Sequence, residues 1–144
     1  MVSHTPFNAK QFGGTVEAIF RAEAAKQGYH PFDAPSGDYL PIDAIVYNLE
    51  NRKSYRVQVK ATSSQGAGSG GRGLVFRIPI QKGRGGTLKH EHLDVVACYV
   101  QPFDTWYLIP AHLCTGSTLK FYPHVPQSKS KFAPYRDEWS VFNH

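Results

Sequence analysis

The chain has 144 residues, 41% apolar and 19% charged, with a formal net charge of +5. That is the size of one ordinary domain, and it buries roughly two-thirds of its unfolded surface with no need of a metal or disulfide staple. The longest apolar runs, such as Val95–Val100, fall far short of the ~20 residues of a membrane span. Met1–Pro6 lacks the charged and apolar stretches of a secretory leader, and Cys98 and Cys114 make no disulfide framework. The expected setting is a reducing cytoplasm.

Apolar spacing at Val16, Ile19, Phe20 and Ala24 predicts a helix from about Gly14 to Gln27, with Thr15 as N-cap and Gly28 as the C-terminal stop. A short strand is expected at Tyr29–Phe32, followed by the turn-rich Asp33–Gly37. Two strands follow, near Tyr39–Asn48 and Ser54–Thr62. In the first, Leu40, Ile42, Ala44 and Val46 alternate onto one face; in the second, Tyr55, Val57, Val59 and Ala61 do the same. Leu49–Lys53 between them is short enough for a hairpin. Ser63–Gly73 is so rich in glycine and serine that a loop is expected, with neither helix nor stable strand. Leu74–Ile80 reads as a strand whose Pro79 hints at an edge position. A second glycine cluster spans Lys82–Gly86. Leu93–Val100 reads as a strand buried on both faces, with Cys98 as a small apolar residue. A turn at Gln101–Asp104 leads to a further strand, Thr105–Ile109. The last thirty residues are dense in proline and aromatics, which predicts packing on the core, a partner subunit or DNA rather than a free tail. The order is mixed α/β, with a sheet and one principal N-terminal helix.

The charge is segregated. Residues 51–90 hold nine basic side chains and no Asp or Glu. Such a block points to a polyanion surface, against the plainer reading of a solvated basic face. A hairpin turn centred between Glu50 and Asn51 makes partner numbers sum to 101, so Asp43 lies opposite Gln58 and Pro41 opposite Lys60. Alternation then gathers Asp43, Gln58 and Lys60 on one face, a convergence that a one-residue slip of register would break. A carboxylate, an amide oxygen and an ammonium together suit metal-assisted phosphodiester hydrolysis. Mg²⁺ (or Mn²⁺) takes hard oxygens: one carboxylate, an amide or backbone carbonyl such as that of Gln58 or Val59, and a substrate phosphate oxygen. Glu17 is a candidate second carboxylate. Lys60 is placed to orient the attacking water or to neutralise charge building on the phosphate. The competing reading is a solvated strand face carrying a Lys–Asp pair, worth about 0–1 kcal/mol.

Pro41-Ile42-Asp43-Ala44-Ile45-Val46 followed by Val57-Gln58-Val59-Lys60, with Glu17 on the preceding helix, resembles the PD-(D/E)XK nuclease superfamily motif. His92–Tyr99 and Trp106–Pro110 are similar to the closing strand pair of the branch that contains a group I intron homing endonuclease; archaeal Holliday junction resolvases are more distant. The resemblance covers about residues 13–112. It implies a restriction-endonuclease-like core with a central mixed sheet and an active-site hairpin. It also implies Asp43 as central metal ligand, Glu17 as an additional ligand, directly or through water, and Lys60 as the catalytic lysine. Gln58 stands where most of the superfamily has Asp or Glu, so weaker Mg²⁺ affinity and greater reliance on Glu17 are expected.

The function expected is a Mg²⁺-dependent, site-specific DNA endonuclease acting on double-stranded DNA as a homodimer or homotetramer, because cutting two strands needs more than one site. Arg72, Arg77, Lys82, Arg84 and Lys89 would grip phosphates or read bases, with Arg77 on a strand best placed for the major groove. A structure-selective nuclease and a non-catalytic DNA-binding module of the same fold are the alternatives. His90-Glu91-His92 is more simply surface histidine than a metal site, Asp38 reads as turn chemistry, and Gly68–Gly73 lacks the Lys-Ser/Thr of a phosphate-binding loop.

Overall fold

The computed structural model describes residues 9–34, 41–63, 66–67, 74–80, 90–125 and 129–144. Helix α1 spans Ala9–Lys26 and begins earlier than predicted. Phe12 packs on the same core as Val16, Phe20 and Ala24, so the apolar stripe extends a turn toward the N-terminus. That packing outweighs the ~1 kcal/mol per residue that Gly13 and Gly14 cost a helix. Thr15 is therefore no N-cap: its hydroxyl donates back to the Gln11 carbonyl at 3.0 Å. The C-terminal stop stands where expected. Gly28, at φ +94°, lets Gly28 N–H reach the Ala25 carbonyl and Tyr29 N–H the Ala24 carbonyl, a Schellman closure.

Five strands form the main sheet in the order β1 (His30–Asp33), β2 (Ala44–Asn48), β3 (Lys53–Thr62), β6 (Val95–Val100), β7 (Thr105–Pro110). Only β3 and β6 run parallel; the other pairs are antiparallel. The β2–β3 register pairs Ala44 with Val57 and Asn48 with Lys53, the expected sum of 101. All six residues of β6 are buried, as a strand covered on both faces requires. A smaller sheet of order β4–β5–β8 contains β4 (Gly66–Ala67), β5 (Leu74–Pro79) and β8 (Thr118–Phe121). Neither β4, inside the segment expected to be all loop, nor β8, inside the proline-rich tail, was predicted. Ile80 N–H donates to Ser117, so alternation turns the nitrogen of Pro79 away from β8. On that side β4 pairs only with Leu74 and Val75, and Pro79 costs no ladder bond although β5 is the middle strand.

Two cores flank the main sheet. One lies under α1 and takes Val16, Phe20, Val46, Val57, Leu108 and, from the C-terminal segment, Trp139 and Phe142. The other lies under the small sheet and joins Val96, Cys98 and Ile109 to Phe76, Ile78, Leu119, Phe121 and Phe132. The C-terminal aromatics thus pack on both faces. Cys98 and Cys114 are free and buried; burial pushes the Cys98 thiol far up and that of Cys114 to about 12, which leaves neither a nucleophile. Among the described residues no helix is long and apolar enough to cross a membrane.

Candidate active site

The hairpin ladder stops at Ala44↔Val57, so neither Asp43 with Gln58 nor Pro41 with Lys60 is paired as predicted. Asp43 N–H donates to the Val57 carbonyl at 2.8 Å, although Ala44 is the registered partner of Val57. Two consecutive residues thus oppose one, an arrangement like a β-bulge, which breaks strand alternation. The consequence is visible at Ile42: it packs on the core under the small sheet instead of joining Ala44 and Val46 under α1.

At this break the Asp43 carboxylate substitutes for a strand. Its Oδ2 accepts the Val59 N–H at 2.8 Å, so Asp43 is bonded to the backbone on either side of Gln58. Within a strand, a residue's N–H and C=O address the same neighbour. The Val59 carbonyl therefore points toward the same opening as the Asp43 carboxylate. Glu17 reaches this opening from α1. Burial pushes its carboxyl above the ordinary glutamate range, and the Asp43 charge and a hydrogen bond with Asp43 push further the same way, against the pull of Arg21. Two carboxylates that resist sharing one place are what a divalent cation relieves.

Gln58 and Lys60 leave the same stretch of β3 on the face of β6 that carries Val96 and Cys98, their registered partners. The Gln58 side chain is 3% exposed, and its Oε1 is buried with no hydrogen-bond partner among the described residues. An unsatisfied buried carbonyl oxygen ordinarily costs about 1–3 kcal/mol. Lys60 is half-buried, and its charge acts on Cys98 from the neighbouring strand. The structure thus brings Glu17, Asp43 and the backbone around Gln58 together, with the Gln58 and Lys60 side chains rising from that backbone. Among the described residues no group of three or more His, Cys, Asp or Glu surrounds a metal position. Hard oxygens at this opening come from Glu17, Asp43 and the Val59 carbonyl, while the Gln58 side chain leaves β3 on the face of Val96 and Cys98.

Glu17→Gln is expected to raise the melting temperature of the metal-free protein by ~2 °C, the scale of a half-exposed charge–charge term. The stability linked to a raised carboxyl is fully present below its unfolded pKa and is lost as pH rises through the folded one, leaving a cost at neutral pH. The gain from the substitution should therefore appear at pH 7–8 and vanish in acid, as differential scanning calorimetry over pH would show.

Of the five predicted DNA contacts, Arg72, Lys82, Arg84 and Lys89, like Asp38, lie outside the described residues. Arg77 is exposed on β5, directly opposite Lys120 of β8. Lys120 was missed, although Leu119 and Phe121 alternate around it and that pattern marks a half-buried strand. Arg56, one of the nine cations in the basic block, is committed to structure. It holds Asp94 through Nε (3.1 Å), Nη2 (3.2 Å) and its own N–H (2.8 Å), and these bonds hold the Asp94 carboxyl below its usual range despite burial. His90–His92 form a single 3-10 turn whose Glu91 carbonyl accepts from Arg56.

The fold and the chain as a whole have known counterparts. No curated protein matches in sequence. A bacterial homing endonuclease, I-Ssp6803I, has a similar structure: TM-score 0.73 at 19% identity, over 95% of each chain. That likeness is one of fold, and it identifies the mixed sheet with its single main helix as restriction-endonuclease-like. A family model for PD-(D/E)XK endonucleases matches residues 7–142, so it takes in the C-terminal segment that the motif resemblance did not reach. This chain belongs to the PD-(D/E)XK endonuclease family.

Proposed function

We propose that this protein is a divalent-metal-dependent, site-specific endonuclease of double-stranded DNA. The observation that carries the reading is the buried Gln58 Oε1, without a partner among the described residues, on the strand segment that Asp43 brackets. A polar atom left dry and unpaired is retained where a ligand satisfies it. Asp43, Glu17, Gln58 Oε1 and the Val59 carbonyl would hold Mg²⁺ or Mn²⁺. Such an ion, when bound, supplies Lewis-acid charge at the scissile phosphate and acidifies a water. Lys60 supplies a fixed positive charge beside it, placed to orient the attacking water or to offset charge growing on the phosphate. A neutral amide in place of a carboxylate donates less charge, so metal affinity leans on Glu17.

The exposed Arg77 and the basic residues 51–90 support a DNA partner, read through the β5–β8 ribbon, whose two-stranded width suits the major groove. With one such site per chain, cutting both strands calls for a homodimer or homotetramer. Two buried, free thiols suit a reducing cytoplasm.

The test is cleavage of supercoiled plasmid and long genomic DNA with Mg²⁺, Mn²⁺ or EDTA, with Lys60→Ala in parallel. Discrete fragments that need metal, with a rate at least ~10³-fold lower in Lys60→Ala, are expected. Salt-dependent binding without cutting under either metal would instead favour a junction substrate or a DNA-binding module.

A further inference from the structure

The C-terminal segment carries a second cationic surface. Arg77 and Lys120 face each other across the β5–β8 ladder, and the Ile80–Ser117 bond places them at a non-hydrogen-bonded pair, where side chains approach most closely. Like charges so opposed are destabilising. Neither has an ion pair among the described residues, and of the eleven acids in the chain only Asp38 lies outside them. The inward residues of the same ribbon, Phe76, Ile78, Leu119 and Phe121, are core, so packing locks the outward direction of the two cations.

Lys120 also forms one wall of an open groove of about 440 Å³. Lys131 lines the groove too, with the hydroxyl-bearing residues Thr115, Thr118, Tyr122 and Ser130. Lys131 Nζ is held 3.3 Å from Thr115 Oγ1 and 5.3 Å from the ring centre of Phe132, itself part of the core. The groove runs on into a second cavity of about 420 Å³ that shares Tyr122 and Ser130 and adds Lys129. Among the described residues no carboxylate lines either cavity. Arg136 at the far side is spent on structure, donating to the Pro123 carbonyl at 2.8 Å.

Cations at intervals, hydroxyl donors between them and no acid are the chemistry of a phosphodiester backbone contact. The geometry points to this groove as a second DNA-contacting surface: Lys120, Lys131 and Lys129 hold the backbone of duplex flanking the cut site. The inference rests on the DNA-endonuclease reading and assigns a partner to a segment outside the catalytic residues. The groove contacts phosphates alone, so it adds affinity equally for all sequences and only where the duplex is long enough to reach it.

The test is fluorescence anisotropy with labelled duplexes trimmed stepwise from each end, in EDTA, across a salt series. It compares the wild type with a Lys120→Gln/Lys129→Gln/Lys131→Gln variant and with the charge-keeping Arg triple variant. All three lysines are exposed or half-exposed, so thermal melts should coincide. Each phosphate contact contributes about −0.9 to the slope of log K against log[salt], so the Gln variant should lose about 2–3 from the slope and at least ~10-fold in affinity. It should also become insensitive to trimming of the flank, while the Arg variant keeps wild-type behaviour. Wild-type binding with an unchanged slope in the Gln variant overturns the groove and leaves the nuclease reading standing. A wild type that binds no duplex of any length overturns the nuclease reading itself.

Discussion

Asp43→Asn is expected to abolish cleavage, by at least ~10³-fold, while the protein stays folded. The two effects separate because the proposed reading gives Asp43 two tasks with different requirements. Accepting the Val59 N–H, at 2.8 Å, needs only an oxygen, which asparagine keeps. Holding a cation beside Glu17 needs the negative charge, which asparagine lacks. Asp43→Ala removes both, leaving the Val59 N–H without its side-chain acceptor and costing in addition about 1–2 kcal/mol of stability. Cleavage rates and urea unfolding of the two variants check this together. An Asn variant that cuts within tenfold of wild type would remove Asp43 from the metal site. An Ala variant as stable as the Asn variant would show that the strand break does not depend on the carboxylate.

Trp139→Ala and Phe142→Ala should each destabilise the protein by ~3–5 kcal/mol, as truncations of buried aromatics do. Trp139 is 6% exposed and Phe142 is fully buried, although both lie within the last six residues of the sequence. Trp139 stacks on Phe20 of α1 at 5.8 Å, and Phe142 meets Tyr29 at 5.4 Å and Tyr55 at 5.5 Å. Polar bonds clamp the same segment: Tyr29 Oη donates to the Trp139 carbonyl and Asn48 Nδ2 to the Phe142 carbonyl. A chain ending at residue 137 therefore loses one side of the core under α1 and should fail to fold cooperatively. Circular dichroism melts of the truncated protein decide the point, and a native-like transition would refute it.

Much of the stretch from α1 to β3 was readable from local pattern. A hairpin is closed by neighbours in sequence, so the positions of Asn48 and Lys53 set the register that carries Ala44 to Val57. The end of α1 was equally local, because Gly28 takes the left-handed conformation that other residues avoid. The hairpin register placed Asp43 opposite Gln58, whereas the ladder ends at Ala44 and Asp43 bonds instead to Val57 and Val59 through a bulge-like break. An alternating string such as Leu40, Ile42, Ala44, Val46 carries no mark of where one residue is doubled, and Ile42 was assigned to the wrong core.

The tail was the least legible. Thr118–Phe121 alternates, but β8 exists only because β5, some forty residues earlier, offers it an edge and a shared core. Helix α1 likewise begins early because Phe12 finds the core shared with Trp139 and Phe142, not because Gly13 and Gly14 favour a helix. The sequence by itself determined the single principal helix, the hairpin with its register and the buried central strand, and it singled out Glu17, Asp43, Gln58 and Lys60 as candidates. Tertiary structure alone decided that alternation breaks at Asp43, that Gln58 Oε1 is buried without a partner among the described residues, and that Lys120 meets Arg77. Periodicity and turns are written within a few residues, whereas burial and pairing across the chain depend on which surfaces meet after folding.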